Sequence, residues 1–89
     1  MRASAEISLY PLKEDYKQRI IDFIFRLRSH DKIEVITNGM STQIFGEFNE
    51  IMEVLQKELG NELETHRSMF VLKIGAGEMR PENIAAELR

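Results

Sequence analysis

Eighty-nine residues carry twelve Lys plus Arg against fifteen Asp plus Glu, a net charge of −3, and 43% of them are hydrophobic. A chain of this length buries roughly 60–65% of its unfolded surface, enough for one two-layer core and too little for two lobes around a deep catalytic cleft. The absence of cysteine excludes a disulfide scaffold, Cys-ligated zinc, iron–sulfur clusters and thiol catalysis, and the mildly acidic balance argues against phosphate-backbone binding, which needs clustered Lys and Arg.

Residues 4–9 alternate Ser4, Glu6 and Ser8 with Ala5, Ile7 and Leu9, the period-two pattern of a strand with one apolar face, and Pro11 stops it. From Asp15 the period changes. Tyr16, Ile20, Phe23, Ile24 and Leu27 line one side of a helix, with Asp15 as its N-cap and Gln18 as the capping-box partner. Residues 29–32 read as a polar loop. Residues 33–37 and 40–45 are β-rich runs around Asn38-Gly39, a dipeptide that supplies positive φ at both centres of a two-residue turn. A hairpin pairing Thr37 with Met40 and Ile36 with Ser41 is therefore predicted. A second helix carries Phe48, Ile51, Met52, Leu55 and Leu59, with Asn49 near its start and Gly60 just past its end. Residues 61–68 then read as a polar linker. Residues 69–74 form a nearly continuous apolar run bounded by Gly75-Ala76-Gly77, which predicts a buried or doubly covered strand. Residues 81–89 are predicted as one short helix, with Ile84 and Leu88 on one side, or a frayed tail.

The order β-α-β-β-α-β is the split-βαβ, ferredoxin-like arrangement of an α+β protein, here one domain over residues 1–89 with a core at about 4–75 and a tail at 76–89. Right-handed crossovers put both helices on one face of a four-stranded antiparallel sheet, so the other face has no cover of its own. With Ile7 and Leu9 toward the helices, Glu6, Ser8 and Tyr10 fall on that open face. The predicted hairpin puts Thr37, Met40 and Thr42 on one side and Ile36, Ser41, Gln43 and Phe45 on the other. If Ile33, Val35 and Ile44 join the helix core, then Ile36, Phe45 and Val71 stand on the open face beside Glu6, Ser8 and Gln43. That mixture suits an oligomer interface, a ligand platform, or both.

Catalytic patterns are missing. His30 and His66 lie far apart in polar connections and read as two solvated loop histidines, and no HExxH, Walker or GxGxxG motif occurs. Glu50, Glu53 and Glu58 read as a solvated helix face, and Ser41 and Thr42 have no local histidine to activate them. No enzymatic activity, metal or cofactor is expected. The amino terminus shows no signal-peptide pattern and no apolar run approaches the ~20 residues needed to cross a bilayer, so a cytoplasmic protein with no membrane or nucleic-acid partner is expected. Glu6 stands apart. A carboxylate on a strand of small and apolar residues is costly unless exposed or partnered, which leaves a Lys73-paired glutamate and a ligand contact as open alternatives. Ser8, Thr37, Asn38, Ser41, Thr42 and Gln43 make a dense set of short hydrogen-bonding groups around one hairpin, suited to a small polar ligand.

Ala5-Glu6-Ile7-Ser8-Leu9-Tyr10-Pro11-Leu12, followed one helix later by Thr37-Asn38-Gly39-Met40-Ser41-Thr42-Gln43-Ile44-Phe45-Gly46, resembles the YkoF-like thiamine- and hydroxymethylpyrimidine-binding proteins and their short thiamine-binding relatives. The resemblance spans roughly residues 4–75. It implies a ferredoxin-like fold, no catalysis, and binding of thiamine or its hydroxymethylpyrimidine moiety in vitamin B1 salvage or transport, with a transport system as an associate. Carried over by position, it points to Glu6, Ser8 and Tyr10 on the first strand and to Thr37, Asn38, Met40, Ser41, Thr42 and Gln43 around the hairpin. An aminopyrimidine offers ring-nitrogen acceptors and an amino donor that hydroxyl, amide and carboxylate groups pair, and a thiazolium cation favours an acidic domain. Tyr10, Met40 and Phe45 are candidates to pack on the rings. YkoF-like proteins carry two such repeats in one chain. The single repeat here implies self-association, as a homodimer or homotetramer through the open sheet face or a sheet edge. Two other classes share the topology: an ACT-like regulatory module that binds an amino acid at a subunit interface, and a purely structural oligomerisation domain. Acylphosphatase-like catalysis needs an arginine-bearing phosphate loop where Pro11-Leu12-Lys13 stands, and RNA-recognition modules need basic, aromatic central strands that this chain lacks.

Overall fold

The computed structural model describes residues 1–12 and 14–88; Lys13 in the stretch after the first strand and Arg89 at the end of the predicted tail lie outside the described residues. The elements are β1 (Arg2–Pro11), α1 (Tyr16–Arg28), β2 (Glu34–Thr37), β3 (Thr42–Glu47), α2 (Phe48–Thr65) and β4 (Ser68–Ala76), followed by short 3-10 turns at Pro81–Asn83 and Ala86–Leu88. The sheet runs β2-β3-β1-β4 with every neighbouring pair antiparallel. This is the ferredoxin-like α+β fold. Alternation on β1 turns Ala3, Ala5, Ile7 and Leu9 inward, where they meet Ile44 of β3, Phe23 and Leu27 of α1 and Ile51, Val54 and Leu55 of α2. Each large side chain buried there contributes about 1.5–3 kcal/mol of transfer free energy.

The hairpin departs from the predicted turn. Its register pairs Thr37 with Thr42 and Ile36 with Gln43, so residues 38–41 form a four-residue loop in place of the predicted pairs Thr37–Met40 and Ile36–Ser41. Neither Asn38 nor Gly39 has positive φ. Instead the Asn38 carboxamide oxygen accepts hydrogen bonds from the backbone N–H groups of Met40 and Ser41, at 2.8 and 2.9 Å, and the Asn38 N–H donates to the Ser41 carbonyl. A side-chain acceptor turns the chain, so the left-handed backbone is not needed. The register moves by two residues, which preserves the alternation. Val35 and Ile44 stay with the helices, and Ile36, Gln43 and Phe45 stay on the open face, as predicted.

Three other boundaries change for identifiable reasons. Asp15 makes no side-chain cap; its backbone lacks the extended conformation of an N-cap, its carboxylate lies 3.7 Å from Arg19, and Gln18 donates to Asp22 instead. The second helix runs through Gly60 to Thr65 because its inward stripe is Ile51, Val54, Leu55, Glu58 and Glu62, and the last two are paired with Arg26 of α1. Met52 is exposed and Val54 takes the core position. The last strand is a sheet edge rather than a covered one, leaving Met69, Val71, Leu72 and Ile74 exposed. Ile84 and Leu88, placed on one face of a predicted helix, are both exposed in the 3-10 region. Among the described residues, no helix is long and apolar enough to cross a membrane.

Candidate ligand-binding site

At the hairpin end of the molecule β1 outruns β3. Pairing with β3 ends at Ile7 opposite Thr42, whereas pairing with β4 continues to Pro11 opposite Ser68. Residues 8–11 therefore carry one backbone edge with no strand partner, on the side of the 38–41 loop. A cavity of about 270 Å³ opens there. Its apolar wall is Ile7 and Leu9 of β1 with Ile20, Phe23 and Ile24 of α1. Its polar side is Ser8, Thr37, Asn38, Ser41 and Thr42, with the Thr37 and Thr42 hydroxyls 3.3 Å apart. Tyr10, Gly39 and Met40 are the other described residues of the lining, and Met40 is 92% exposed. An apolar wall facing a few convergent hydrogen-bonding groups is the usual constitution of a small-molecule site.

Seven of the nine sequence-predicted residues meet in this slot: Ser8, Tyr10, Thr37, Asn38, Met40, Ser41 and Thr42. Glu6 and Gln43 do not. They lie on the open face, in a row that runs Ile36, Gln43, Glu6, Lys73 across β2, β3, β1 and β4; Ser8 and Tyr10 alternate onto the same face but stand beyond the end of β3, at the rim of the slot. There the Glu6 carboxylate lies 3.6 Å from the Lys73 ammonium. Ile20 and Ile24 read as core from helical periodicity, and nothing in the sequence marks them as a cavity wall.

The adjacent row, Glu34, Phe45, Ser4, Gly75, is covered by a feature that the sequence did not announce. Gly77, at φ +90, reverses the chain after β4, and residues 77–80 cross the sheet as a strap. The Ser4 hydroxyl donates to the Gly77 carbonyl at 2.6 Å and accepts from the Met79 N–H at 2.8 Å. Arg80 then stacks its guanidinium 4.1 Å from the Phe45 ring centroid and pairs with Glu34 and Glu78, while Arg2 holds Glu78 from the other side. Hydrogen bonds from Arg80 hold the Glu34 carboxyl below the usual carboxylate range, and hydrogen bonds from Arg80 and Arg2 do the same for Glu78. Phe45 is left 1% exposed on a face with no helix above it.

Behind the slot, α1 and α2 are joined by a charged cluster. Arg26 bridges Glu58 at 3.2 Å and Glu62 at 2.7 Å, His30 Nε2 lies 2.7 Å from the second oxygen of Glu58, and His66 Nδ1 lies 3.1 Å from the second oxygen of Glu62. The glutamates are 4% and 1% exposed. This corrects the reading of Glu58 as part of a solvated face and of both histidines as solvated loop residues: an arginine from the other helix makes carboxylates at inward positions tolerable. The guanidinium also lies 5.6 Å from the centroid of Phe23, whose ring packs 5.2 Å from that of Phe70. Phe23 lines the slot, so the cluster braces its back wall. Among the described residues, no group of three or more His, Cys, Asp or Glu side chains could hold a metal ion.

Comparison with known proteins places the chain. The sequence model of the YKOF-related family matches residues 2–74. No curated protein sequence matches. Among solved structures, a Streptococcus pneumoniae protein superposes with a TM-score of 0.79 at 24% identity, covering 99% of this chain and 98% of the other. A hypothetical protein from Methanocaldococcus jannaschii gives 0.72 at 24% identity over 98% and 92%. A candidate thiamine biosynthesis/salvage protein from Thermotoga maritima gives 0.74 at 21% identity over 99% and 94%. At these identities the superpositions establish a common fold.

Proposed function

We propose that this chain, which belongs to the YKOF-related family, binds thiamine or its hydroxymethylpyrimidine moiety without chemical turnover, in the slot at the hairpin end. The observation that carries the reading is the meeting, in one cavity, of short hydroxyl and amide groups, a free strand edge and an apolar wall. The flat pyrimidine lies against Ile20 and Ile24. Its amino group and ring nitrogens pair with Thr37, Ser41 and Thr42 and with backbone groups of residues 8–10, which offer both donors and acceptors. The structural likeness to a candidate thiamine biosynthesis/salvage protein from Thermotoga maritima supports the ligand class. A role in vitamin salvage or transport inside the cell follows from that ligand. The exposed apolar side chains of the β4 edge, Met69, Val71 and Ile74, support self-association of the chain as a dimer or tetramer.

Isothermal titration with thiamine and with hydroxymethylpyrimidine tests the assignment. One site per chain is expected. Thr42→Val removes one neutral hydrogen bond and weakens binding roughly 3–10-fold, whereas Glu6→Gln, on the other side of the sheet, leaves the affinity within about twofold. The reverse pattern, with Glu6→Gln weakening binding and Thr42→Val silent, moves the ligand to the open face and overturns the slot.

A further inference from the structure

We propose that the open face of the sheet carries a second binding site, for a free α-amino acid with an apolar side chain, at the edge of the strap formed by residues 77–80. A cavity of about 310 Å³ lies between the row covered by the strap and the row Gln43, Glu6, Lys73. It is separated from the hairpin slot by the thickness of the sheet, and its chemistry is different. Among the described residues, no charged side chain lines the slot, whereas this cavity has one carboxylate and one ammonium on adjacent strands, Glu6 and Lys73, 3.6 Å apart.

Among the described residues, Glu6 and Lys73 have no other ion-pair partner, and their side chains are 40% and 77% exposed. A pair this exposed contributes little to folding, so a ligand that brings both charges replaces it at small cost. A cation alone leaves Lys73 without a partner, and an anion alone leaves Glu6 without one. A zwitterion satisfies both, and in an α-amino acid the two charges sit on adjacent carbons. Gln43, level with Glu6 on β3, has no side-chain hydrogen-bond partner among the described residues, and its amide can bind either end of the ligand.

The apolar end of the site is Phe45 and Met79. Met79 reaches over Gly75 so closely that a Cβ at that position would fall 2.7 Å from its terminal methyl. The thioether side chain is unbranched and adaptable, and it is held over the cavity by the Met79 N–H bond to Ser4. It offers an apolar ligand side chain a surface beside the buried Phe45 ring. A volume near the lower end of ligand pockets, about 300–1,000 Å³, is room enough for one amino acid.

The test is an NMR titration of the 15N-labelled protein with leucine and methionine, run beside N-acetyl-leucine, which lacks the ammonium, and leucinamide, which lacks the carboxylate. Saturable shifts are expected at the amides of Glu6, Gln43, Lys73 and Met79 with the free amino acids in the low millimolar range or tighter, and with neither analogue. Glu6→Gln and Lys73→Met each weaken the response roughly tenfold, the loss of one charge-assisted contact, while Lys57→Met, on α2, leaves it unchanged. Both site residues are exposed, so the variants keep the wild-type spectrum elsewhere. Absence of saturable shifts with either amino acid, equal responses to the two analogues, or shifts confined to residues 37–42 would each overturn the proposal.

Discussion

Replacing Arg26 by methionine removes the cation that bridges Glu58 and Glu62 while keeping a long apolar stem over Phe23. The Glu58 and Glu62 side chains are 6% and 2% exposed, so two carboxylates are left facing one another at the α1–α2 contact. Stripping one partner from a buried pair costs about 3–5 kcal/mol. Arg26 is itself one-third exposed, and each glutamate keeps its histidine, which lowers the expected cost to about 2–3 kcal/mol. For a domain of this size that corresponds to a fall in Tm on the order of 10–20 °C. Urea and thermal unfolding measure the loss directly. The diagnostic step is to add Glu58→Gln and Glu62→Gln to the Arg26→Met protein: amides remove the unpaired charge, and at least half of the lost stability should return. An Arg26→Met cost below about 1 kcal/mol, or no recovery in the triple variant, would show that the cluster is not held together by charge.

Asn38→Ala removes both side-chain bonds that turn the hairpin; it should cost about 1–2 kcal/mol, speed hydrogen exchange at Met40 and Ser41, and weaken pyrimidine binding by loosening the polar side of the slot. Gly75→Ala puts a Cβ against Met79, so the strap should lose exchange protection at the Met79 amide, and adding Met79→Ala should restore the wild-type spectrum of β4. The strap is also sensitive to acid in a defined direction. Because its hydrogen bonds depress Glu34 and Glu78 in the folded state, its contribution is complete above the ordinary carboxylate range and is lost as pH falls through the depressed values. Amide signals of Met79 and Arg80 should therefore report release at acid pH and no change near neutrality; an acid-insensitive strap, or one equally sensitive in Arg80→Ala, refutes the assignment.

The fold was legible because its decisive signals are local and periodic. Alternation on β1 placed Ala5, Ile7 and Leu9 in the core, and a two-residue error in the hairpin register left the face assignments of the paired residues 35–37 and 42–45 intact because the strand period is two, while Met40 and Ser41 moved from the strand into the loop. The loop itself was misread for a chemical reason: Asn38-Gly39 permits positive φ, but the Asn38 side chain supplies the turn without it. The end of α2 was hidden because Glu58 and Glu62 become acceptable inward residues only when Arg26, from an earlier helix, arrives beside them. Most of the slot could be read from the hairpin motif, since the topology carries that loop to the free edge of β1. The strap could not, because Ser4 meets Met79 across 75 residues and Glu34 meets Arg80 across 46, separations that no local pattern reports.

The most direct test of the central claim is a search for intermolecular nuclear Overhauser effects between hydroxymethylpyrimidine and the methyl-labelled protein. Contacts from the pyrimidine methyl group to Ile20 and Ile24 are expected, since both side chains form the slot wall. Contacts to Met79 instead, on the opposite side of the sheet, or saturating ligand with no contact to either isoleucine, would contradict it.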